Sequence, residues 1–218
     1  MRRKEKFVQG EIFHVFNKSI ANFEILSDLR NAQRFIEVLD YYNNIKTKLS
    51  FSRFVIIHKK YEYENILFLK ELPLLKFIAY CIMPDHYHLL VKIIKKNTFS
   101  NYVSKIENSF TRYFNLRFAR KGPLWQSEFR AIRIKTDEQL LHVSRYIHLN
   151  PTTSSLVQNP QDWIFSSYRD YINNEKILKE IGTEISIRTP EHYRRFVEDR
   201  KDYQRKLKKI KSLLLDKF

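Results

Sequence analysis

The chain of 218 residues contains one cysteine, three glycines and six prolines. The single cysteine, Cys81, excludes an internal disulfide bond and a zinc site built from cysteines. Because glycine and proline are scarce and no Ser/Gly-rich or Pro-rich stretch occurs, the sequence indicates no flexible linker between domains. No stretch reaches about 18 uncharged apolar residues, and no apolar run follows the basic start. We therefore expect a protein without a membrane span or a signal peptide.

Acidic residues are also few: the chain has 24 Asp and Glu but 40 Lys and Arg, which gives a net charge of +16. The excess is uneven: residues 92–135 hold eleven basic and two acidic residues. Aromatic residues lie among these charges, including Tyr102, Tyr113, Phe114 and Trp125. A solvated helix face is the simpler interpretation of a basic run. The mixture of positive charge and aromatic rings instead favours nucleic acid as the partner.

Hydrophobic periodicity predicts a strand at 11–20, a helix at 27–45 behind Ser27, and a hairpin of strands 74–83 and 86–94 around a Pro-Asp turn. A helix at 98–122 ending at Gly122 and a strand at 128–135 follow. The last helix begins with a Thr136–Gln139 capping box and ends at Pro151. This order predicts an α+β fold of the ferredoxin-like class, an antiparallel sheet of about four strands covered on one face by helices. We expect a domain over residues 1–172 with a helical insertion at about 45–73, and a basic helical C-terminal extension over 173–218.

Two histidines flank Tyr87 at the start of the second hairpin strand. Residues two apart on a strand project from one face, so His86 and His88 can present their imidazoles to one cation while Tyr87 points into the packing on the other side. The alternative is a pair of partly exposed histidines, or of histidines bonded to carbonyl groups.

The last predicted helix brings a tyrosine and an amide together. Tyr146 and Asn150 are four residues apart, hence on one helical face. Asn150 can offer a carbonyl oxygen to a metal, and mixed nitrogen and oxygen ligands with open positions suit Mg²⁺ or Mn²⁺. Tyr146 is then a nucleophile beside the cation. Ordinary amphipathic packing is the alternative for Tyr146, and Tyr113 is the competing tyrosine.

The chain contains three motifs in this order: MPDHYHLLV, then GPLWQSEFRAI, and finally SRYIHLNPTTSSLV followed by WIFSSYRDY. Together they resemble the REP-associated tyrosine transposases, relatives of the single-tyrosine insertion-sequence transposases of the HUH superfamily, over about residues 8–172. The resemblance implies a ferredoxin-like fold, a divalent metal held by His86, His88 and Asn150, and Tyr146 as the attacking residue. Tyr87 stands where the family usually has an aliphatic residue.

The function that the resemblance implies is metal-dependent nicking and strand transfer of single-stranded DNA near hairpins, through a 5′-phosphotyrosine intermediate. The chain would act as a monomer or homodimer in the bacterial cytoplasm, at the nucleoid. The alternative is a non-catalytic hairpin-binding protein of the same descent. A phosphohydrolase acting on small nucleotides through a histidine triad is disfavoured, because Leu90 occupies the position of a third alternating histidine.

Further polar residues are candidates for contacts with DNA. Trp125 and Gln126 can stack on or read an unpaired base, or Trp125 can anchor a buried loop. His14 can help to position a phosphate or can belong to the core or sheet edge. His148 lies about 200° around the helix from Tyr146, so we expect it to be structural. Four arginines are candidates for phosphate contacts: Arg112, Arg130, Arg133 and Arg145.

Overall fold

A computed structural model describes residues 6–63, 65–126, 128–181, 184–187 and 189–201. The described part contains four strands and seven α-helices. In chain order they are β1 Ile12–Lys18, α1 Leu29–Tyr42, α2 Phe51–His58, β2 Leu75–Ile82, β3 His86–Ile93, α3 Phe99–Arg117, β4 Arg130–Ile134, α4 Asp137–Thr153, α5 Tyr168–Asn173, α6 Glu175–Ile181 and α7 Pro190–Glu198.

The four strands form one antiparallel sheet in the order β2-β3-β1-β4. β2 and β3 form the predicted hairpin, and β3 begins at His86, as the sequence predicts. β1 lies between β3 and β4 and pairs with both. This arrangement confirms the α+β, ferredoxin-like fold class.

Helices cover both faces of this sheet, so the expectation of one covered face was wrong. Tyr87 and His88 are neighbours on β3 and therefore point to opposite faces. Tyr87 lies against Phe35 of α1 and donates a hydrogen bond to Glu107 of α3. His88 instead lies against Tyr146 of α4. Every residue of β2 is buried, which is typical of a strand covered on both sides.

Side-chain caps determine where α1 and α4 begin. Thr136 caps α4 as predicted, because its side chain accepts a hydrogen bond from the Gln139 backbone N–H. The cap of α1 is Asp28, not Ser27: the Asp28 carboxylate accepts from two backbone N–H groups of the first turn. Ser27 turns its hydroxyl to the Glu24 carbonyl.

Two predicted helix ends were also wrong. α3 ends at Arg117, before Gly122, because Ala119 adopts a left-handed φ of 48° and leaves the helix. α4 continues through Pro151 to Thr153. The proline removes a single N–H donor, and the Ser154 N–H still bonds to the Asn150 carbonyl at 2.9 Å.

Residues 45–73 contain α2, and the rest of this insertion has no further helix or strand among its described residues. Beyond residue 172, α7 packs against α4: the buried Tyr193 hydroxyl contacts Ser144 Oγ at 3.1 Å and His148 Nδ1 at 2.7 Å. The part of the predicted basic C-terminal extension beyond residue 201 lies outside the described residues, and the domain boundary after residue 172 stays a prediction. Within the described ranges, no helix combines the length and apolar character needed to cross a bilayer.

Candidate active site

A cavity of about 260 Å³ opens between the sheet and α4. It lies where β1 ends, β3 begins and β4 begins, because antiparallel pairing brings these three strand ends to one edge. Five residues predicted from sequence line it together: His86, His88, Gln126, Arg130 and Tyr146.

The two histidines of β3 are held by hydrogen bonds at one nitrogen each. His86 Nδ1 lies 2.5 Å from Asp85 Oδ1, and His88 Nδ1 lies 2.9 Å from His14 Nε2. Their ring centres are 5.0 Å apart. Among the described residues, neither Nε2 atom has a hydrogen-bond partner. A fixed Nδ1 with an unengaged Nε2 is the usual state of a histidine that binds a metal.

Burial determines the protonation state of the inner histidines. It lowers the pKa of His88 well below its usual value, and the neighbouring His14 and His86 lower this pKa further. Burial also lowers the pKa of His14 to about 4. Both rings are therefore neutral at neutral pH, and the neutral imidazole is the form that coordinates a cation.

Tyr146 is more exposed than either histidine of β3. Its ring centre lies 5.5 Å from that of His88 and 6.2 Å from that of His14, in both cases edge to face. The side chain is 43% exposed, although it stands on a helix that is otherwise largely buried here. A phenol beside two imidazoles and open to solvent can be reached by a large substrate.

Asn150 follows Tyr146 by one turn of α4. It is buried, does not line the cavity, and its amide nitrogen has no hydrogen-bond partner. Such buried amides are rare, and a half-turn of the amide exchanges its oxygen and nitrogen. An amide oxygen one helical turn from Tyr146 thus joins two imidazole nitrogens in the set of possible ligands, and donors of these types fit a divalent metal. No group of three or more His, Cys, Asp or Glu with metal-binding spacing occurs in the described ranges.

The other predicted DNA contacts divide into those at the cavity and those away from it. Gln126 and Arg130 are exposed at its rim, and the Gln126 N–H bonds to the Lys18 carbonyl at 2.9 Å. Arg112 is exposed on α3, across the sheet from Tyr146. Arg133 pairs with Glu11, with Nε 2.7 Å from the carboxylate.

Two of the candidates are part of the packing. Trp125 is buried against Tyr87, with ring centres 5.4 Å apart, so it is the loop anchor and not an open stacking surface. The guanidinium group of Arg145 lies 4.2 Å from the Phe196 ring centre and donates to the Phe196 carbonyl. The Arg145 side chain is therefore buried against α7, and its phosphate contact stays a prediction. His148 is structural, as predicted, bonding Ser167 Oγ at 2.7 Å.

Sequence reasoning missed the roles of His14 and Asp85. Asp85 directly precedes His86, which was a local signal for an orienting carboxylate. His14 lies far from His88 along the chain, and only the pairing of β1 with β3 brings the rings together.

The fold and the site define a ferredoxin-like α+β protein whose sheet carries two histidines beside a helix-borne tyrosine. Residues 44–150 match the family described as Transposase IS200 like. A putative REP-associated tyrosine transposase of Haemophilus influenzae is 29% identical over 117 residues, which cover 48% of this chain and 65% of that relative's length. The resemblance to the REP-associated tyrosine transposases is thereby confirmed, and it includes a match of residues 44–150 to the IS200-like transposase family.

A solved structure has a similar fold. It is a REP-associated tyrosine transposase bound to a REP hairpin, with a TM-score of 0.58 and 15% identity, covering 80% of this chain and 86% of that one. At this identity the likeness concerns the fold.

Proposed function

We propose that the chain is a divalent-metal-dependent enzyme that nicks single-stranded DNA beside hairpins and transfers the cut strand, with Tyr146 as the nucleophile. The observation that carries the proposal is the exposed Tyr146 ring edge-on to His88, in the cavity that His86 also lines. The family match supports it, as does the similar fold of a transposase that is bound to a REP hairpin.

In the proposed reaction the Tyr146 oxygen attacks a backbone phosphorus and loses its proton. The bond from phosphorus to the 3′ oxygen breaks, which leaves a 5′-phosphotyrosine and a 3′-hydroxyl. Because one phosphodiester replaces another, a 3′-hydroxyl can attack the tyrosine ester and rejoin the strand. A neutral phenol is a weak nucleophile, so this step needs help to remove the proton. Bound by His86, His88 and Asn150, Mg²⁺ or Mn²⁺ would neutralise the phosphate and favour the phenolate.

Three further residues of the cavity would hold the strand. Arg130 and Lys18 carry positive charge at the rim, where phosphates would lie. Gln126 is exposed beside them and can hydrogen-bond to a base edge. Asp85 lies between His86 and Lys18, at 3.1 Å from the Lys18 Nζ, and so links the histidine to the phosphate-binding rim.

A covalent adduct tests this function. We expect wild-type protein, incubated with a labelled hairpin-bearing oligonucleotide and Mg²⁺ or Mn²⁺, to give a denaturation-resistant protein–DNA adduct. Tyr146→Phe should lose the adduct and keep hairpin binding. Tyr113→Phe is the matched control, because Tyr113 lies on α3 across the sheet, where it accepts from Arg117. An adduct on Tyr146→Phe would show that the nucleophile is another residue. Hairpin binding by wild type without any adduct would favour the non-catalytic alternative.

A further inference from the structure

A second cavity, of about 410 Å³, lies between the end of α1 and the insertion. Its volume is in the range of pockets that bind small molecules. α1 packs on the Tyr87 face of the sheet, so this cavity and the Tyr146 cavity lie on opposite sides. Neither the transposase motifs nor the proposed chemistry uses these residues.

Aromatic rings form one wall of the cavity. The ring centres of Tyr41 and Phe54 are 5.1 Å apart, those of Tyr41 and Tyr61 5.7 Å, and those of Phe54 and His58 4.3 Å. Tyr41, Phe54 and Tyr61 are only half-buried. Their exposed parts offer aromatic surface to a flat ring, which a base exposes only when it is unpaired.

Positive charge surrounds the opening. Lys46 and Lys48 are exposed, and among the described residues neither has an acidic partner. Of the residues that the structure describes, Asp40 is the one acidic side chain that lines the cavity, and it is already engaged: it accepts from Tyr61 at 2.5 Å and from Lys70 at 2.6 Å. The two free ammonium groups therefore favour an anionic ligand such as phosphate.

We propose that this cavity binds an unpaired nucleotide, with the base against the Tyr41 and Phe54 rings and the phosphate at Lys46 and Lys48. The proposal rests on the proposed function for DNA as the partner, and it assigns the insertion a second contact with the single strand, away from the cut. A nucleotide unit can come from a DNA strand or from a free mononucleotide, and both sources offer the same chemistry.

The test measures binding without cleavage. The protein carries Tyr146→Phe and is kept in a chelator, and a short fluorescein-labelled oligothymidylate is the probe. Lys46→Ala/Lys48→Ala should weaken binding about tenfold at low salt and lower the slope of log affinity against log salt by about 1 to 1.5. Lys176→Ala/Lys179→Ala is the matched control, because it removes two exposed charges from α6. Equal affinity and slope in the two variants would overturn the proposal.

Photocrosslinking locates the bound base. An oligonucleotide with iododeoxyuridine should crosslink to the peptides of Tyr41, Phe54 or Tyr61, and Phe54→Leu should reduce that yield. Crosslinks confined to other peptides would overturn the proposal. Thymidine monophosphate and the oligomer are compared as competitors of the crosslinking reaction. Equal competition by the monophosphate would identify a free nucleotide as the occupant, whereas weak competition would identify a strand.

Nicking separates this proposal from the proposed function. With Tyr146 intact, Lys176→Ala/Lys179→Ala should nick as wild type does, whereas Lys46→Ala/Lys48→Ala should need more hairpin DNA for half-maximal nicking. If wild type does not nick but the cavity still crosslinks, the proposed function fails and the nucleotide site stands. If wild type nicks, but Lys46→Ala/Lys48→Ala changes nothing and the cavity peptides give no crosslinks, then the nucleotide site is contradicted and the proposed function is not.

Discussion

His14 of β1 and His88 of β3 share a hydrogen bond of 2.9 Å between His14 Nε2 and His88 Nδ1. His14 pairs with Leu90 in the strand register, so the His14 and His88 rings are diagonal neighbours on one face of the sheet. Tyr146 of α4 lies against the same face. The bond determines which nitrogen of His88 points to the cavity. His14 is therefore a positioning residue for the proposed metal ligand.

Replacing His14 should change the metal dependence of nicking. His14→Ala removes the acceptor at His88 Nδ1, and we expect the Mn²⁺ concentration for half-maximal nicking to rise about 10- to 100-fold. His14→Gln keeps an acceptor and should restore much of the affinity. His142→Ala is the control, because His142 is exposed on α4 and does not line the cavity. An unchanged metal titration for His14→Ala would contradict the positioning role.

Removing either β3 histidine should separate chemistry from binding. We expect His86→Ala and His88→Ala each to abolish the covalent adduct while hairpin affinity stays within about threefold of wild type, because phosphate and base contacts supply most of the affinity. Single-turnover cleavage and fluorescence anisotropy on the same hairpin measure the two quantities. Full cleavage with either histidine absent would end the metal hypothesis.

Replacement of tyrosine by phenylalanine should lower stability at Tyr87 and activity at Tyr146. Tyr87 is fully buried and its hydroxyl lies 2.7 Å from Glu107 Oε1, a carboxylate that also accepts from Asn17 at 2.8 Å. Tyr87→Phe should lower the free energy of unfolding by about 1–3 kcal/mol, because it removes a buried hydrogen bond to an acidic side chain. Tyr146→Phe should change it by less than about 0.5 kcal/mol, since that side chain is exposed. Urea unfolding measures both, and equal effects would contradict the assignment of Tyr87 to the core.

Stability should fall as Asp170 ionises. Burial raises the pKa of Asp170 to about 6, although Asn65 donates to it at 2.7 Å. Since the folded-state pKa lies above the unfolded value, the stabilising contribution is complete below about pH 4 and is lost as the pH rises through about 6.

The matched variant is Asp170→Asn, which keeps an acceptor for Asn65 and does not ionise. Its free energy of unfolding relative to wild type should rise by about 1–3 kcal/mol between pH 4 and pH 7.5. A difference that stays constant over this range would show that Asp170 ionises normally in the folded protein.

Much of the fold and part of the site could be predicted because their signals are local. The Pro-Asp turn between two apolar runs predicts the β2–β3 hairpin, and alternation along β3 places Tyr87 opposite to His86 and His88. Helical spacing likewise places Tyr146 and Asn150 one turn apart on α4. Trp125 could not be assigned, since an aromatic ring in a loop has the same local pattern whether it is buried or exposed.

By itself the sequence determined the order and type of the main elements, the His-x-His strand and the helix that carries Tyr146, because side-chain periodicity and turn chemistry act over a few residues. Only the tertiary structure decided that α4 lies on the face opposite to α1 and α3, that His14 supports His88, and that Arg145 is buried beneath α7. These relationships join residues far apart in the chain. They depend on which strands pair and which apolar surfaces cover each other, and free energies of burial summed over the whole core determine that choice.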